Sequence, residues 1–176
     1  MKKYKAIAIP VSFVDGKPRF LTVRDWRFKE WIFVTGGCRR REIYNPLRCA
    51  LRELEEETRG VVSLKNGQYT EFKFIHKESP TVELEYNVFV FFVNYTRSQQ
   101  QEMIRKFYEE KQKTSVKKAL HQPYKKTYDE NDFMSFDTLE EFNARKRWKL
   151  IVDNVIKNPE FYSCISSLNR KTFSIK

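Results

Sequence analysis

A short acidic run constrains this chain more than any other feature of its sequence. Residues 52–57 read Arg-Glu-Leu-Glu-Glu-Glu, which places four carboxylates and one guanidinium close together. If the run is helical, like charges three or four positions apart repel by about 0.2–0.5 kcal/mol per pair. The run is therefore either a solvated acidic face, the commonest form of such a segment, or a site whose charge is compensated by a divalent cation.

Local signals place this run on a helix that extends from Pro46 to about Arg59. Asn45 is the predicted N-cap, and Pro46 suits the first helical position because its missing N–H costs nothing there. Gly60 is expected to end the helix. At roughly 100° per residue, the helix carries an apolar stripe that must face a core, formed by Leu47, Ala50, Leu51 and Leu54.

Helical geometry selects three of the four glutamates as neighbours. Glu53, Glu56 and Glu57 have the spacing i, i+3 and i+4 and lie side by side, whereas Glu55 projects to the opposite flank of the apolar stripe. Oxygen ligands favour a hard cation, Mg²⁺ or Mn²⁺, over zinc, which prefers His and Cys. We therefore predict a Mg²⁺ or Mn²⁺ site on this face, and more than one ion is compatible with three carboxylates.

A glycine turn and a basic loop are predicted just before the helix. The apolar residues 31–34 indicate a buried strand, and Thr35-Gly36-Gly37 follows it. Glycines let the backbone approach a ligand closely, and arginines suit phosphate oxygens. The predicted phosphate-binding residues of this segment are Gly36, Gly37, Arg39, Arg40 and Arg41.

The order of strand, glycine loop and acidic helix resembles the Nudix hydrolase family between residues 37 and 61. The family's box is Gx5Ex7REUxEExGU, where U is a bulky aliphatic residue. Its R-E-U-x-E-E positions are occupied without a gap by Arg52, Glu53, Leu54, Glu56 and Glu57.

The match to the box is looser on both sides of these positions. Gly37 stands one residue too far from Arg52, so Glu42 is the best match to the loop glutamate, with displaced spacing. Arg59 stands where the pattern has glycine, and Gly60 comes one residue late. The resemblance implies an α/β fold, a Nudix-type α/β/α sandwich with a mixed sheet and a C-terminal helix.

The resemblance also implies metal-dependent hydrolysis of a pyrophosphate bond in a nucleoside diphosphate linked to another group. In the family, the arginine at the Arg52 position commonly orients a box glutamate. The glutamate that acts as general base varies within the family, so Glu56 and Glu130 are both candidates. The implied catalytic residues are Arg52, Glu56 and Glu130. Glu130 is favoured over Asp129 for the additional acidic residue that many Nudix enzymes supply; alternatively, it is an ordinary loop carboxylate.

The rest of the chain predicts one domain over residues 1–176, with the box at about 37–61 and a C-terminal helical part at about 138–176. Strands are expected at 5–14, 18–23, 70–76, 82–95 and 130–136, and a helix at 98–112. Residues 114–127 lack periodicity and are interpreted as a flexible or substrate-facing loop. A capping pattern at Thr138 opens the last helix, which contains apolar residues at 148–156.

The charge balance points to a polyanionic partner. The chain has 34 Lys plus Arg against 23 Asp plus Glu, a net charge of +11, although its predicted site is acidic. Such an excess either attracts polyanions such as RNA or only keeps the protein soluble. In the segment 24–30, Trp26 is the candidate for stacking on a base and Arg24 for binding its phosphates.

Other features of the sequence argue against a disulfide-bonded, a secreted or a membrane-spanning protein and against a cysteine zinc site. The three cysteines lack metal-ligand spacing and are expected to be reduced thiols. No apolar stretch approaches the roughly 20 residues that span a bilayer, and no signal-peptide core follows the N-terminus. We therefore expect a cytoplasmic protein without a membrane partner, and no obligate protein partner is indicated.

The substrate is predicted from a further resemblance, carried by residues 49–58 and 130–132, to the mRNA-decapping branch of the family, including the decapping enzymes of large DNA viruses. It implies cleavage of the 5′ cap of mRNA to release 7-methyl-GDP, with capped RNA or another phosphate-rich substrate as partner. Alternatives are a diphosphoinositol polyphosphate or dinucleoside polyphosphate hydrolase. A non-catalytic RNA- or cap-binding module is a further alternative, against which the intact Glu53, Glu56 and Glu57 argue.

Overall fold

The computed structural model of the protein describes residues 1–65 and 67–174. Its strands are β1 (Lys2–Val14), β2 (Lys17–Asp25), β3 (Trp31–Ile32), β4 (Val34–Gly37), β5 (Tyr69–Ser79), β6 (Val82–Phe92) and β7 (Asn131–Asp137). Its helices are α1 (Pro46–Glu57), α2 (Arg97–Ala119), α3 (Leu139–Asn143), α4 (Lys149–Ile151) and α5 (Pro159–Ser174). Short 3-10 turns occur at Arg40–Glu42 and Lys126–Tyr128, and a π-helical turn, Val152–Ile156, follows α4.

The strands form one mixed sheet built around β1. On one edge, β1 pairs antiparallel with β4 through Lys5–Ala8 and with β2 through Val11–Val14. On its other edge it pairs in parallel with β6, which pairs antiparallel with β5. β2 also pairs antiparallel with β3 and β7. The part of β1 from Ala6 to Val11 is completely buried, as expected for a strand covered on both faces.

Helices cover this sheet and complete the fold. α1 packs against β1 and β4, α5 against β5 and β6, and α2 against β7. The predicted α/β class is confirmed, with a Nudix-type α/β/α sandwich, a mixed sheet and a C-terminal helix. In the described parts of the chain, no helix is long and apolar enough to cross a membrane. Cys38, Cys49 and Cys164 are free in this structure.

The predicted start of α1 is confirmed, and its end comes slightly earlier than expected. The Asn45 side chain accepts a hydrogen bond from the Arg48 amide at 3.4 Å, with Pro46 at the first turn. The helix ends at Glu57, because Arg59 and Gly60 adopt positive φ angles of 58° and 78° and leave the helical path. Gly60 closes the end by donating its N–H to a carbonyl of the last turn.

The interpretation of residues 114–127 as a loop was wrong for its first part. α2 continues to Ala119, seven residues beyond the predicted end at residue 112. Periodicity gave no sign of this, because the only buried residues among those of α2 are Gln100 and Phe107. A helix that buries so little of its surface has no apolar stripe to mark it in the sequence.

The prediction of one long last helix was also wrong, although its first turn was confirmed. Thr138 and Glu141 form the predicted capping box at the start of α3. Residues 145–148 then leave the helical path, since the Trp31 amide donates to the Lys146 carbonyl and the Trp148 amide donates to the Trp31 carbonyl, at 2.8 and 3.2 Å. This pairing with a distant strand interrupts the helical segment before α4 and α5 resume it.

Candidate active site

Arg52 is the centre of the hydrogen-bond network on α1. Its Nε and Nη2 donate to the two carboxylate oxygens of Glu42, both at 2.8 Å, and Nη1 donates to Glu53 at 2.9 Å and Glu56 at 3.0 Å. Nη2 also donates to the Gly37 carbonyl at 3.0 Å. The guanidinium therefore holds Glu53 and Glu56 in place and joins them to the end of β4.

Glu42 is the partner that fixes Arg52. It is buried, and the Arg39 amide also donates to its carboxylate at 2.9 Å. The bidentate Arg52 contact lowers the pKa of Glu42 to about 2, so this carboxylate is charged under all ordinary conditions. The displaced spacing of the loop is accommodated by the 3-10 turn Arg40–Glu42, which brings Glu42 back to the helix.

Gly36 and Gly37 belong to strand β4 and not to a turn, which corrects the sequence prediction. They pair with Ala6 and Lys5 of β1. A Cβ atom added to Gly36 would lie 1.9 Å from Cδ of Glu53, whereas one at Gly37 would meet nothing closer than the Lys5 ammonium at 3.9 Å. Gly36 is therefore glycine because the Glu53 carboxyl packs against its backbone.

Glu57 is as deeply buried as Glu42, at 4% exposure. Its Oε2 accepts a hydrogen bond from the Thr35 amide at 2.8 Å. Burial raises the pKa of Glu57 well above its ordinary value, and the nearby Glu53 and Glu130 carboxylates raise it further. Three carboxylates from two parts of the chain thus lie close enough to repel one another.

The same environment affects Glu53 and Glu130. Burial raises the pKa of Glu53 to about 7, although the Arg52 charge opposes the shift. Burial followed by the charge of Glu56 raises the pKa of Glu130 above its ordinary value. Repulsion between partly buried carboxylates is relieved by a proton or by a cation, and this is the condition in which acidic residues bind divalent metals.

The chemistry of these side chains suits a metal ion, but their positions are not those of a formed metal site. All the candidate donors are carboxylate oxygens, which suits Mg²⁺ or Mn²⁺. Within residues 1–65 and 67–174, however, no three His, Cys, Asp or Glu side chains are gathered as a ready metal site. Glu56 instead accepts hydrogen bonds from Arg52 and, at 3.4 Å, from Arg39. A cation held by Glu53, Glu56 and Glu57 would have to draw Glu56 away from these arginines.

A cavity of about 450 Å³ adjoins this cluster of carboxylates. Glu57, Glu130 and the Thr35 backbone lie on its acidic side. The rest of its wall combines apolar and aromatic side chains with charged ones of both signs: Lys5, Asp25, Arg27, Phe28, Glu30, Ile32, Tyr86 and Trp148. Such a combination of aromatic surface with charged groups suits a nucleoside that carries phosphates.

The predicted substrate-binding residues divide into two groups. Arg39, Arg40 and Arg41 are exposed beside the site, and Arg39 contacts Glu56. Trp26 is 52% exposed, and its amide donates to the carbonyl of the cavity residue Glu130 at 3.4 Å, but Trp26 itself is not among the residues that line the cavity.

Arg24, in contrast, is not brought to the cavity. Its guanidinium makes two hydrogen bonds to Asp132, at 3.0 and 2.6 Å, and lies 4.3 Å from the centre of the Phe133 ring. The Arg24 side chain is therefore held by residues of β7 and is unsuited to phosphate binding. Sequence proximity to Trp26 gave the wrong indication, because β2 ends at Asp25 and Trp26 lies outside the strand that positions Arg24.

Sequence patterns missed several residues of the cavity. Lys5 and Tyr86 reach it from β1 and β6, where nothing in the local pattern distinguishes them from ordinary strand residues. Trp148, which the sequence predicts within the last helix, packs against the core and also lines the cavity, because residues 145–148 leave the helical path to pair with Trp31. Phe28 lay in a segment noted for its aromatics, and its 69% exposure fits a ligand-facing side chain.

Comparisons with known proteins agree with this architecture. The family model for the NUDIX domain matches residues 3–149. No curated protein matches the sequence at a significant level. These similarities do not separate the decapping branch from the rest of the family.

Three solved structures illustrate the likeness of fold. The NUDIX domain of Shewanella oneidensis NrtR, solved with ADP ribose, has 10% identity and a TM-score of 0.57 and covers 87% of this chain and 83% of its own. The Ap4A hydrolase of C. elegans has 11% identity and a TM-score of 0.54, covering 96% and 98%. A putative NUDIX hydrolase of Listeria monocytogenes has 12% identity and a TM-score of 0.52, covering 97% and 94%. Because the family model matches most of the chain, this protein belongs to the NUDIX domain family and is a Nudix hydrolase.

Proposed function

We propose that the protein cleaves a pyrophosphate bond in capped RNA, using Mg²⁺ or Mn²⁺, and releases 7-methyl-GDP. The observation that carries this proposal is the cluster of Glu53, Glu57 and Glu130, of which Glu57 and Glu130 line a cavity with aromatic walls. A nucleotide base fits the aromatic walls, while its phosphates reach the carboxylates through a cation. The net charge of +11 supports a polyanionic substrate over a single nucleotide.

Each side chain has a defined task in this proposal. Glu53, Glu56 and Glu57 would hold the cation, which would supply charge neutralisation for phosphate oxygens and lower the pKa of a water molecule. Arg52 keeps Glu53 and Glu56 in position through its hydrogen bonds. The raised pKa of Glu130 suits it to take up the proton of the attacking water, and Glu56 is the alternative base.

The substrate side is formed by basic and aromatic residues. Arg40 and Arg41 are exposed beside the carboxylates and suit non-reacting phosphates, since a guanidinium binds phosphate with two hydrogen bonds. Phe28 and Trp148 offer aromatic surface to the base within the cavity. Stacking of a base on an aromatic side chain contributes on the order of 1–3 kcal/mol.

Substitution of the glutamates tests the hydrolytic site. Glu53→Gln and Glu57→Gln are expected to lower kcat on capped RNA by at least about 100-fold, because each removes a charged ligand from the site. The control is Glu55→Gln on the same helix, since Glu55 is exposed and accepts only the Tyr128 hydroxyl, at 3.1 Å, among the described side chains. Full activity in Glu53→Gln would show that the site is wrongly placed.

A panel of substrates tests the choice of capped RNA. Cap-labelled RNA, free cap analogue, a diadenosine polyphosphate and a diphosphoinositol polyphosphate are incubated with protein and Mg²⁺ or Mn²⁺. Release of labelled 7-methyl-GDP from RNA supports decapping, and turnover of the small compounds alone contradicts it. Binding of cap analogue without any hydrolysis would identify a non-catalytic cap-binding module.

A further inference from the structure

Residues 111–128 form a strongly basic segment that extends from the hydrolytic site. They contain six lysines, at positions 111, 113, 117, 118, 125 and 126, and no acidic residue. The segment, called here the lysine arm, comprises the last part of α2, a loop and the 3-10 turn Lys126–Tyr128. Its composition requires an explanation beyond the fold, because like charges at this density repel.

The core does not account for the lysine arm. Every residue from 115 to 123 is exposed, and the two buried residues of α2 lie before the arm begins. Among the residues described, no carboxylate lies within ion-pair distance of Lys117, Lys125 or Lys126, whereas Lys113 pairs with Glu110. Three lysines of the arm therefore present their charge to solvent.

The base of the arm is fixed to the end of the box helix. Asp129 accepts an ion pair from Lys118 and another from Arg59, the latter at 3.0 Å, and Arg59 lies directly after α1. The Tyr128 hydroxyl donates to Glu55 of α1 at 3.1 Å. Two positions further along the chain, Glu130 lines the cavity. The base of the arm is thus attached to α1 and adjoins, along the chain, a residue of the cavity wall.

Two aromatic rings lie against lysines of the arm. The Lys118 ammonium lies 5.3 Å from the centre of the Tyr124 ring, and that of Lys125 lies 4.8 Å from the centre of the Tyr128 ring. Lysines that follow a phosphate backbone, interleaved with aromatic rings on which bases stack, favour a single-stranded nucleic acid.

We propose that the lysine arm binds the single-stranded RNA body of the substrate through Lys117, Lys125, Lys126 and Tyr124. This inference rests on the proposed function, since it assumes that the 5′ end of the same strand occupies the cavity. A membrane surface fits less well, because a helix that lies on lipid needs a broad apolar face. The exposed large apolar side chains of the arm, in the described chain, are limited to Val116 and Leu120.

Binding of uncapped RNA tests the arm separately from hydrolysis. Fluorescence anisotropy measures the affinity for a labelled single strand of about 30 nucleotides, long enough to cover the groove of a typical binding fold. The variant K117E/K125E/K126E is expected to bind about 10- to 100-fold more weakly. Its plot of log affinity against log salt should be shallower by about 2, at roughly 0.7 per lost phosphate contact.

A matched variant controls for net charge. K17E/K73E/K77E makes the same change of charge at exposed lysines of β2 and β5 and is expected to keep most of the wild-type affinity. The neutral variant K117Q/K125Q/K126Q guards against disturbance by introduced acids, and circular dichroism with thermal melting checks the fold of all three. An equal loss of affinity in the control and arm variants would overturn the proposal.

Kinetics and a second ligand complete the test. The arm variants should raise KM for long capped RNA and leave turnover of a cap dinucleotide unchanged, since the arm lies outside the cavity. Wild-type protein that binds vesicles of phosphatidylserine and phosphatidylcholine but no RNA would overturn the inference. If the wild-type protein binds uncapped RNA through the arm but releases no 7-methyl-GDP, RNA binding by the arm is supported and the proposed function is refuted.

Discussion

At the scale of the residue, Gly36 matters because its missing side chain leaves space for the Glu53 carboxyl. The Glu53 carboxyl occupies the position where a Cβ of residue 36 would lie, 1.9 Å away. A glycine that serves a catalytic neighbour looks the same in sequence as one that cradles a ligand. The two possibilities differ only in which group fills the space, and here the group is a side chain of α1.

We expect Gly36→Ala to damage activity far more than Gly37→Ala. The added methyl at position 36 must push Glu53 aside, and a misplacement of about 1 Å at a catalytic group costs on the order of 100-fold in rate. At position 37 the methyl meets only a flexible lysine at 3.9 Å. Steady-state kinetics of the two variants measure the difference, and equal activity would contradict the close approach of Glu53 to residue 36.

The Glu42–Arg52 pair makes stability depend on pH in the acid range. The Arg52 contact lowers the pKa of Glu42 from 4.5 to about 2. Between pH 4.5 and about 2, Glu42 binds a proton more readily in the unfolded chain than in the folded protein. The contribution of Glu42 to the free energy of unfolding is therefore fully present above pH 4.5 and is lost as the pH falls through about 2. Its full size is on the order of 2–3 kcal/mol.

Glu42→Gln is expected to remove this contribution. The variant should be less stable than the wild type at pH 6, and the gap in the free energy of unfolding should narrow as the pH is lowered toward 3. Urea unfolding at a series of pH values measures both. A gap that stays constant over this range would show that Glu42 titrates normally in the folded protein.

At the scale of the element, α1 and α2 differ in how much of their surface is buried and in how clearly the sequence shows it. α1 has a clear apolar stripe and an acidic face, and its Glu53 and Glu57 are buried while Glu55 is exposed, as the i, i+3, i+4 spacing predicted. α2 is held at the sheet mainly by Phe107 and Gln100, so most of its surface is solvated. Its start depends correspondingly on its cap.

Thr96→Ala tests this dependence. The Thr96 hydroxyl accepts from the Gln99 amide at 3.1 Å, and the Gln99 side chain accepts from the Thr96 amide at 2.8 Å. Loss of the cap is expected to cost about 1 kcal/mol of unfolding free energy. Ser98→Ala in the same turn is the control, because Ser98 is exposed and alanine favours a helix. Chemical denaturation that ranks Ser98→Ala as the more damaging change would refute the role of the cap.

At the scale of the whole molecule, Asp137 links the sheet to the segment that closes the cavity. It is 1% exposed and accepts hydrogen bonds from Thr22 of β2 at 2.9 Å and Ser135 of β7 at 2.8 Å. Arg145 donates to both of its oxygens, at 2.7 and 2.9 Å, and its guanidinium lies 3.8 Å from the centre of the Trp31 ring. This link holds residues 145–148 against β3.

Asp137→Ala is therefore expected to destabilise the fold by about 3 kcal/mol, because it leaves a partly buried guanidinium without its partner. Asp153→Ala is the control. Asp153 pairs with Lys149 and Lys157 at the exposed surface, where such pairs contribute at most about 1 kcal/mol. Thermal melting compares the two variants, and similar melting temperatures would contradict a structural role for Asp137.

The sequence by itself determined what depends on neighbours within one element. The cap of α1, its apolar stripe and the face shared by Glu53, Glu56 and Glu57 all follow from helical spacing. The match of Arg52 and these glutamates to the Nudix box was confirmed as a family assignment for the same reason, since the motif is local.

Tertiary structure alone decided which distant residues meet around those glutamates. Register across β1, β4 and β6 brings Lys5, Thr35 and Tyr86 to one cavity, and strand pairing at Trp31 breaks the predicted last helix and delivers Trp148 to it. A hydrogen bond between residues more than one hundred positions apart leaves no periodicity in either segment. Local patterns therefore located the helix α1 that carries the box, and only the packing of the sheet determined what this helix faces.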